Sequence, residues 1–231
     1  MQVETLANID ATTARLRRAV QYQLLLPCTA AVIVVSAGIA SGDQQRGASF
    51  EVPREDLAST EALANRHTAL SPRVNREEAR QLAECAYASV SKLRQQYGMF
   101  GTPIFNNFLV YHGIKKRGYC YQWTEDLLLS LDSLKLTTLE LHWGETYAGT
   151  WRENNCIVVT GKGQPFNRGI ILECWKHFGH LRWGPVVGDP DPYVENATYA
   201  RFVRARSRQK AIGVNHQVAF QTQTKAKGKT N

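Results

Sequence analysis

Arg117-Gly118-Tyr119-Cys120-Tyr121-Gln122-Trp123-Thr124-Glu125-Asp126-Leu127-Leu128 is the stretch on which the fold of this chain turns. A glycine turn hands a cysteine to the first turn of an amphipathic segment, which predicts a helix from about Cys120 to Ser133. A helix N-terminus exposes unpaired N–H groups and the positive end of the dipole. A thiol placed there can ionise near neutral pH and become a nucleophile.

Strand-like runs follow. Thr137 to Trp143 alternates, with Leu139, Leu141 and Trp143 on one side and Thr138, Glu140 and His142 on the other. Cys156 to Thr160 is β-branched, and Gly169 to Trp175 is a third apolar run, separated from it by the turn Gly161-Lys162-Gly163-Gln164-Pro165. Upstream, Leu82, Ala86, Val90 and Leu93 recur at helical spacing between a capping Asn75 and a terminating Gly98. Phe100 to Tyr111 reads as a short helix or an extended segment. The pattern is α+β, with helices packed on a small antiparallel sheet.

Length and charge bound the rest. The chain has 231 residues, enough for one domain with extra sequence at both ends. Its net charge of +8 resides in the eight Lys/Arg of residues 201–231, which contain no Asp or Glu; the other 200 residues balance to zero. That end reads as a basic, solvated, disordered tail. No aromatic-basic interleaving accompanies it, which argues against nucleic acid as a partner.

Arg15, Arg17 and Arg18 precede an apolar run from Leu24 to Ile39, and Gly38-Ile39-Ala40 offers small residues for cleavage. Residues 1–40 therefore read as a signal peptide or an N-terminal membrane anchor, so membrane association through this segment is one expected interaction. Lipidation at Cys28 is a further option, weakened by Pro27 where a small residue is expected. Residues 41–73 read as a linker with one short helix around Asp56 to Arg66, 74–200 as the domain, and 201–231 as the tail. Export would permit disulfides, and the spacing of Cys85, Cys120, Cys156 and Cys174 does not choose a pairing. Neither a zinc-type Cys/His spacing nor a phosphate-binding glycine loop is present, so no cofactor or metal is expected.

Cys120 is the candidate nucleophile; the competing reading is a buried cysteine acting as a small hydrophobe. His142 is the first candidate for the base, with His112 second, and Glu173, a carboxylate within Ile170–Trp175, is the candidate orienting acid. Asn154 and Asn155 head the middle strand and offer amides for orientation or an oxyanion contact.

These motifs carry a resemblance. Asn107–Val110, Arg117–Trp123, Glu153–Thr160, Gln164–Phe166 and Gly169–Glu173 resemble a family of uncharacterised exported bacterial proteins, many labelled lipoproteins. The likeness covers roughly residues 76–194. The family's Glu-His-Asn and Leu-Asp-Pro-Trp motifs imply a papain-like or transglutaminase-like fold with a helix cysteine, a strand histidine and an aspartate on the next strand. This chain keeps the cysteine as Cys120, but has Asn154 in place of the histidine and Glu173 in place of the aspartate. An amide cannot serve as a base near neutral pH. Two functions follow as expectations: cysteine-dependent hydrolysis or acyl transfer with His142 as replacement base, or a non-catalytic envelope protein that binds a peptide or protein partner in the same cleft.

Overall fold

Asn75 starts the longest core helix by accepting hydrogen bonds from the Glu77 and Glu78 N–H groups at 2.8 and 3.2 Å, and Gly98 ends it in the left-handed conformation at φ +52°. A computed structural model describes residues 50–227, with side chains described to residue 212. These residues belong to a compact unit, Arg46–Asn231. Five α-helices occur in order: α1 (Leu57–Thr68), α2 (Arg76–Tyr97), α3 (Pro103–Tyr111), α4 (Cys120–Asp132) and, after the strands, α5 (Ala197–Lys227). The strands are β1 (Leu139–Thr146), β2 (Asn154–Gly161), β3 (Ile170–Glu173), β4 (Arg182–Pro185) and β5 (Val194–Glu195). They form one sheet in the order β4-β3-β2-β1-β5, with every pair antiparallel. The expected α+β architecture, helices on an antiparallel sheet, is the one observed.

The sheet has two faces because side chains alternate along each strand. On the helix side, Leu139, Leu141, Trp143, Ile157, Val159, Ile170 and Leu172 join Leu82, Ala86, Val90, Trp123, Leu127 and Leu131 in the main core. On the outer side, Cys156, Val158, Ile171 and Tyr193 form a smaller cluster under Phe166 and Val186. β2 is buried along its whole length, as a central strand covered on both faces should be.

Glu78 ties α2 to the start of β1. Its carboxylate accepts the N–H groups of Thr137, Thr138 and Leu139 at 2.8–2.9 Å. Burial alone would raise its pKa; these three donors more than offset that and hold it below the usual range.

The short helix expected around Asp56 to Arg66 is present as α1, but its stretch is not a linker: it packs on α2 and places Leu63 and His67 fully in the interior. Neither His67 ring nitrogen has a hydrogen-bond partner, and burial pushes its pKa down to about 3. The expected disordered tail is helical to Lys227, and its first turns are docked. Val203 and Ala200 are buried, Arg204 grips Asp132 at 2.7 and 2.9 Å, and Arg206 pairs with Glu125 at 2.6 Å. The tail's positive charge is thus partly committed to holding α5 on α4.

The four described cysteines are free and buried. Cys156 belongs to the outer cluster and Cys174 to the main core, so these neighbours point to opposite faces and cannot bridge. No helix among the described residues is long and apolar enough to cross a membrane. The segment with the expected signal, anchor and Cys28 lies outside the described residues.

Candidate functional site

Gly118 and Tyr119 deliver Cys120 to α4 as the turn predicts. Gln122 reaches back from the first turn, its Oε1 accepting the Gly118 and Tyr119 N–H groups at 2.7 and 3.1 Å. Arg117 holds the approach from outside: it donates to Asp126 at 3.0 and 3.1 Å and to the Tyr97 hydroxyl at 3.1 Å.

The Cys120 sulfur faces the start of β2. The thiol donates to the Glu153 carbonyl at 3.4 Å, and the sulfur accepts from Asn155 Nδ2 at 3.3 Å. Trp143 fixes which way that amide points. Its Nε1–H can only donate, and it donates to Asn155 Oδ1 at 3.0 Å, so the NH₂ group must face the sulfur. The same Nδ2 also reaches Glu153 Oε1 at 3.2 Å.

This geometry does not activate the thiol. Cys120 is 5% exposed, and its burial is the dominant influence on its ionisation. The Asn155 amide and the Tyr121 N–H favour the thiolate, while the Glu153 and Glu173 carboxylates disfavour it. Burial wins and pushes the pKa up to about 12, opposite to the shift expected from the helix terminus alone.

The expected histidine contacts are not made. His142 lies on the outer face, opposite Val158; its Nδ1 meets Glu195 at 2.8 Å and its Nε2 meets the Thr160 hydroxyl at 2.9 Å. His112 is exposed after α3 and packs on the Phe108 ring at 4.2 Å. Among the described residues, no histidine nitrogen hydrogen-bonds the Cys120 sulfur.

Asn154 and Glu173 also belong to the outer face. Asn154 Nδ2 donates to the Tyr193 hydroxyl at 2.9 Å. Glu173 is 1% exposed, and its Oε1 accepts the Lys176 N–H at 2.7 Å. Its Oε2 has no hydrogen-bond partner; His177 Nε2 is 3.7 Å from the carboxylate, on a ring whose pKa burial pushes down. Burial pushes this carboxyl up to about 7, against the opposing pull of the Lys176 N–H, the Asn154 amide and Arg182. Glu173 therefore orients no histidine at Cys120. Of the four residues expected to converge (Cys120, His142, Asn154 and Glu173), Cys120 alone reaches the helix-side site.

The residue that meets Cys120 is Asn155. The signal for it was strand parity: Asn155 has the phase of Ile157 and Val159, which face the helices, whereas Asn154 has the phase of Cys156 and Val158.

In front of Asn155 lies a cavity of about 250 Å³, lined by Tyr121, Trp143, Glu145, Glu153, Asn155 and Tyr199. The Trp143 and Tyr199 rings meet at a tilt of 50° with centroids 4.6 Å apart, and the Tyr199 hydroxyl donates to Glu125 at 2.8 Å. Glu145 accepts from Asn196 Nδ2 and Glu153 from the Gly149 N–H, both at 2.8 Å. Neither carboxylate has a cationic partner among the described residues. Larger grooves flank Phe50–Val52, where the described chain begins, away from this chemistry. Among the described residues no group of three His, Cys, Asp or Glu side chains is placed to hold a metal ion.

Comparisons with protein-family models, with curated proteins and with solved structures gave no match for this chain, so the reading of the site rests on its own geometry.

Proposed function

We propose that this protein is an exported, non-catalytic binding module on a papain-like or transglutaminase-like scaffold. It takes a cationic group of a peptide or protein partner into the cavity beside Cys120. The observation that carries this reading is the state of the cysteine: a buried thiol, held by Asn155 and the Glu153 carbonyl, with its pKa pushed up to about 12 and no histidine bonded to it among the described residues. A thiol that stays protonated at neutral pH, with no base to take its proton, does not attack a carbonyl.

The cavity in front of it suits recognition. Aromatic faces attract cations, and ionised carboxylates attract them more strongly. Tyr121, Trp143 and Tyr199 supply the rings, and Glu145 and Glu153 supply the charge. A lysine or arginine side chain fits this lining, and the volume is that of one side chain rather than of a folded partner. The N-terminal apolar run supports export.

Two measurements test the reading. Alkylation of Cys120 by iodoacetamide, mapped by mass spectrometry against Cys120→Ser, should be slow at neutral pH and accelerate only in strong alkali. A thiol titrating below its ordinary value would restore the hydrolase reading. Tryptophan fluorescence titration should show saturable binding of lysine- or arginine-bearing peptides, weakened about tenfold or more in Glu145→Gln/Glu153→Gln. Equal binding of acidic and basic peptides would defeat the cationic assignment.

A further inference from the structure

The segment from Phe100 to Ile114 projects a set of large apolar side chains. Phe100 is 67% exposed, Ile104 56%, Phe105 40%, Phe108 51%, Tyr111 79% and Ile114 44%. Most of them lie on or beside α3, a helix of nine residues that buries only Pro103 and Asn106. Folding normally hides such rings, and a contiguous patch of this kind marks an interaction surface.

The lobe is built rather than frayed. Thr102 caps α3 by accepting the Phe105 N–H at 3.1 Å, with Pro103 in the first turn. Asn106, fully buried, closes the loop on itself: it accepts the Phe100 N–H at 3.2 Å and donates to the Phe100 and Thr102 carbonyls. Lys115 locks the far end, donating to Asn106 Oδ1 at 2.6 Å and to the Gly98 carbonyl at 3.1 Å. Asn106 and Lys115 thus hold the lobe in shape from inside, and the large apolar side chains are left exposed.

Charge identifies what covers them. Residues 85–124 contain five Lys/Arg and no Asp or Glu. Lys115 is spent inside the lobe and Arg117 pairs with Asp126. Lys92, Arg94 and Lys116 remain exposed, with no ion pair among the described residues, and Lys116 directly follows the apolar lobe. Aromatic and aliphatic side chains with the exposed cation Lys116 at their end, without a carboxylate in the segment, match the interface of an anionic bilayer, where rings enter the headgroup level and cations meet lipid phosphates.

We propose that the Phe100–Ile114 lobe is a membrane-docking element that seats this protein on an anionic lipid surface. This stands apart from the cavity beside Cys120 and from the N-terminal apolar run. Two rings and a neighbouring cation act together, because a single short apolar contact holds a protein on a bilayer only weakly.

Flotation of the full chain with phosphatidylcholine vesicles, with and without a minority of phosphatidylglycerol, tests it. The wild type should float with the anionic vesicles. Phe105→Glu/Phe108→Glu should lower the partition about tenfold or more, and Lys116→Glu should lower it less, with both proteins keeping the wild-type circular dichroism and melting curve. If the double variant folds poorly, Ile104→Gln and Phe108→Ser decide in its place. Undiminished flotation of the folded variants would overturn the proposal and assign any membrane contact to another segment. Absence of wild-type flotation would also overturn it. A wild-type dimer in light scattering that the double variant dissociates, without lipid binding, would overturn it in favour of self-association.

Discussion

The two faces of strand β2 treat their polar residues differently. On the helix side, Asn155 is fully engaged: its oxygen takes the Trp143 N–H, and its NH₂ serves both the Cys120 sulfur and Glu153. On the outer side, Asn154 lies in the neighbourhood of Glu173, whose second oxygen has no partner. One face is a closed network that fixes a cysteine in place. The other is an open one that holds a carboxyl on the edge of ionisation. The residues that would form a cysteine-enzyme triad are divided between them, and strand alternation alone is enough to divide them.

The closed network should be the costlier to break. Asn155→Ala leaves the buried Trp143 N–H without an acceptor and opens a small void against Cys120. An orphaned buried donor costs about 1–3 kcal/mol and the void adds more, so a loss of about 2–4 kcal/mol is expected in urea unfolding. The Cys120 thiol should also become faster to alkylate as its cover is removed. A loss under about 0.5 kcal/mol would mean that the network is not closed in solution.

The open face makes an opposite prediction. Glu173 has a folded pKa of about 7 against an ordinary 4.5, so the folded protein binds a proton that the unfolded chain has released. Stability from this group is complete below pH 4.5 and is lost as pH rises through about 7, by an order of 3 kcal/mol. Glu173→Gln should remove that dependence and make the protein more stable than wild type above pH 7. His67 pulls the other way: its folded pKa of about 3 lies below the ordinary 6.5, so stability is lost as pH falls below 6.5. Subtracting the variant's pH profile from the wild type's cancels His67 and isolates Glu173. A flat difference between pH 4.5 and 8 would show that Glu173 is solvated.

Much of the fold was legible because its signals are local. Asn75, the Leu82–Leu93 spacing and Gly98 bound α2 to the residue, and Gly118 placed Cys120 at the first turn of α4. The antiparallel sheet followed from alternation and turns. What was illegible depends on distant partners. The helix α1 was expected but its place in the core was not, because that place depends on Leu63 packing on α2, and α5 sits in a basic tail and is kept by Arg204 on Asp132, 72 residues away. The site failed for another reason. Asn154 was favoured over Asn155 by motif position, whereas the phase of the apolar residues in β2 selects Asn155.

Cys120 itself should matter less than its amide. Cys120→Ala removes one buried sulfur and frees Asn155 Nδ2, which keeps Glu153 as an acceptor. A destabilisation of about 1–2 kcal/mol is expected, because the cysteine acts mainly as a small hydrophobe. Peptide binding in the cavity should survive, since Glu145, Glu153 and the rings remain. Complete loss of binding in a variant that still folds would mean that the sulfur touches the ligand, and the cysteine would regain a chemical role.

The smallest effect belongs to His142, and it separates the two functional readings most directly. Its ring bridges Glu195 and Thr160 on the outer face, partly exposed, so His142→Gln should cost no more than about 1 kcal/mol. It should leave the rate and pH dependence of Cys120 alkylation unchanged, because the central sheet lies between the ring and the sulfur. A base that reaches Cys120 in solution would have to leave both partners and cross to the other face. If His142→Gln slows alkylation about tenfold, that movement occurs, and the division of the two faces is a resting state of an enzyme. If it does not, the division is permanent, and the cleft at Cys120 is left with recognition as its work.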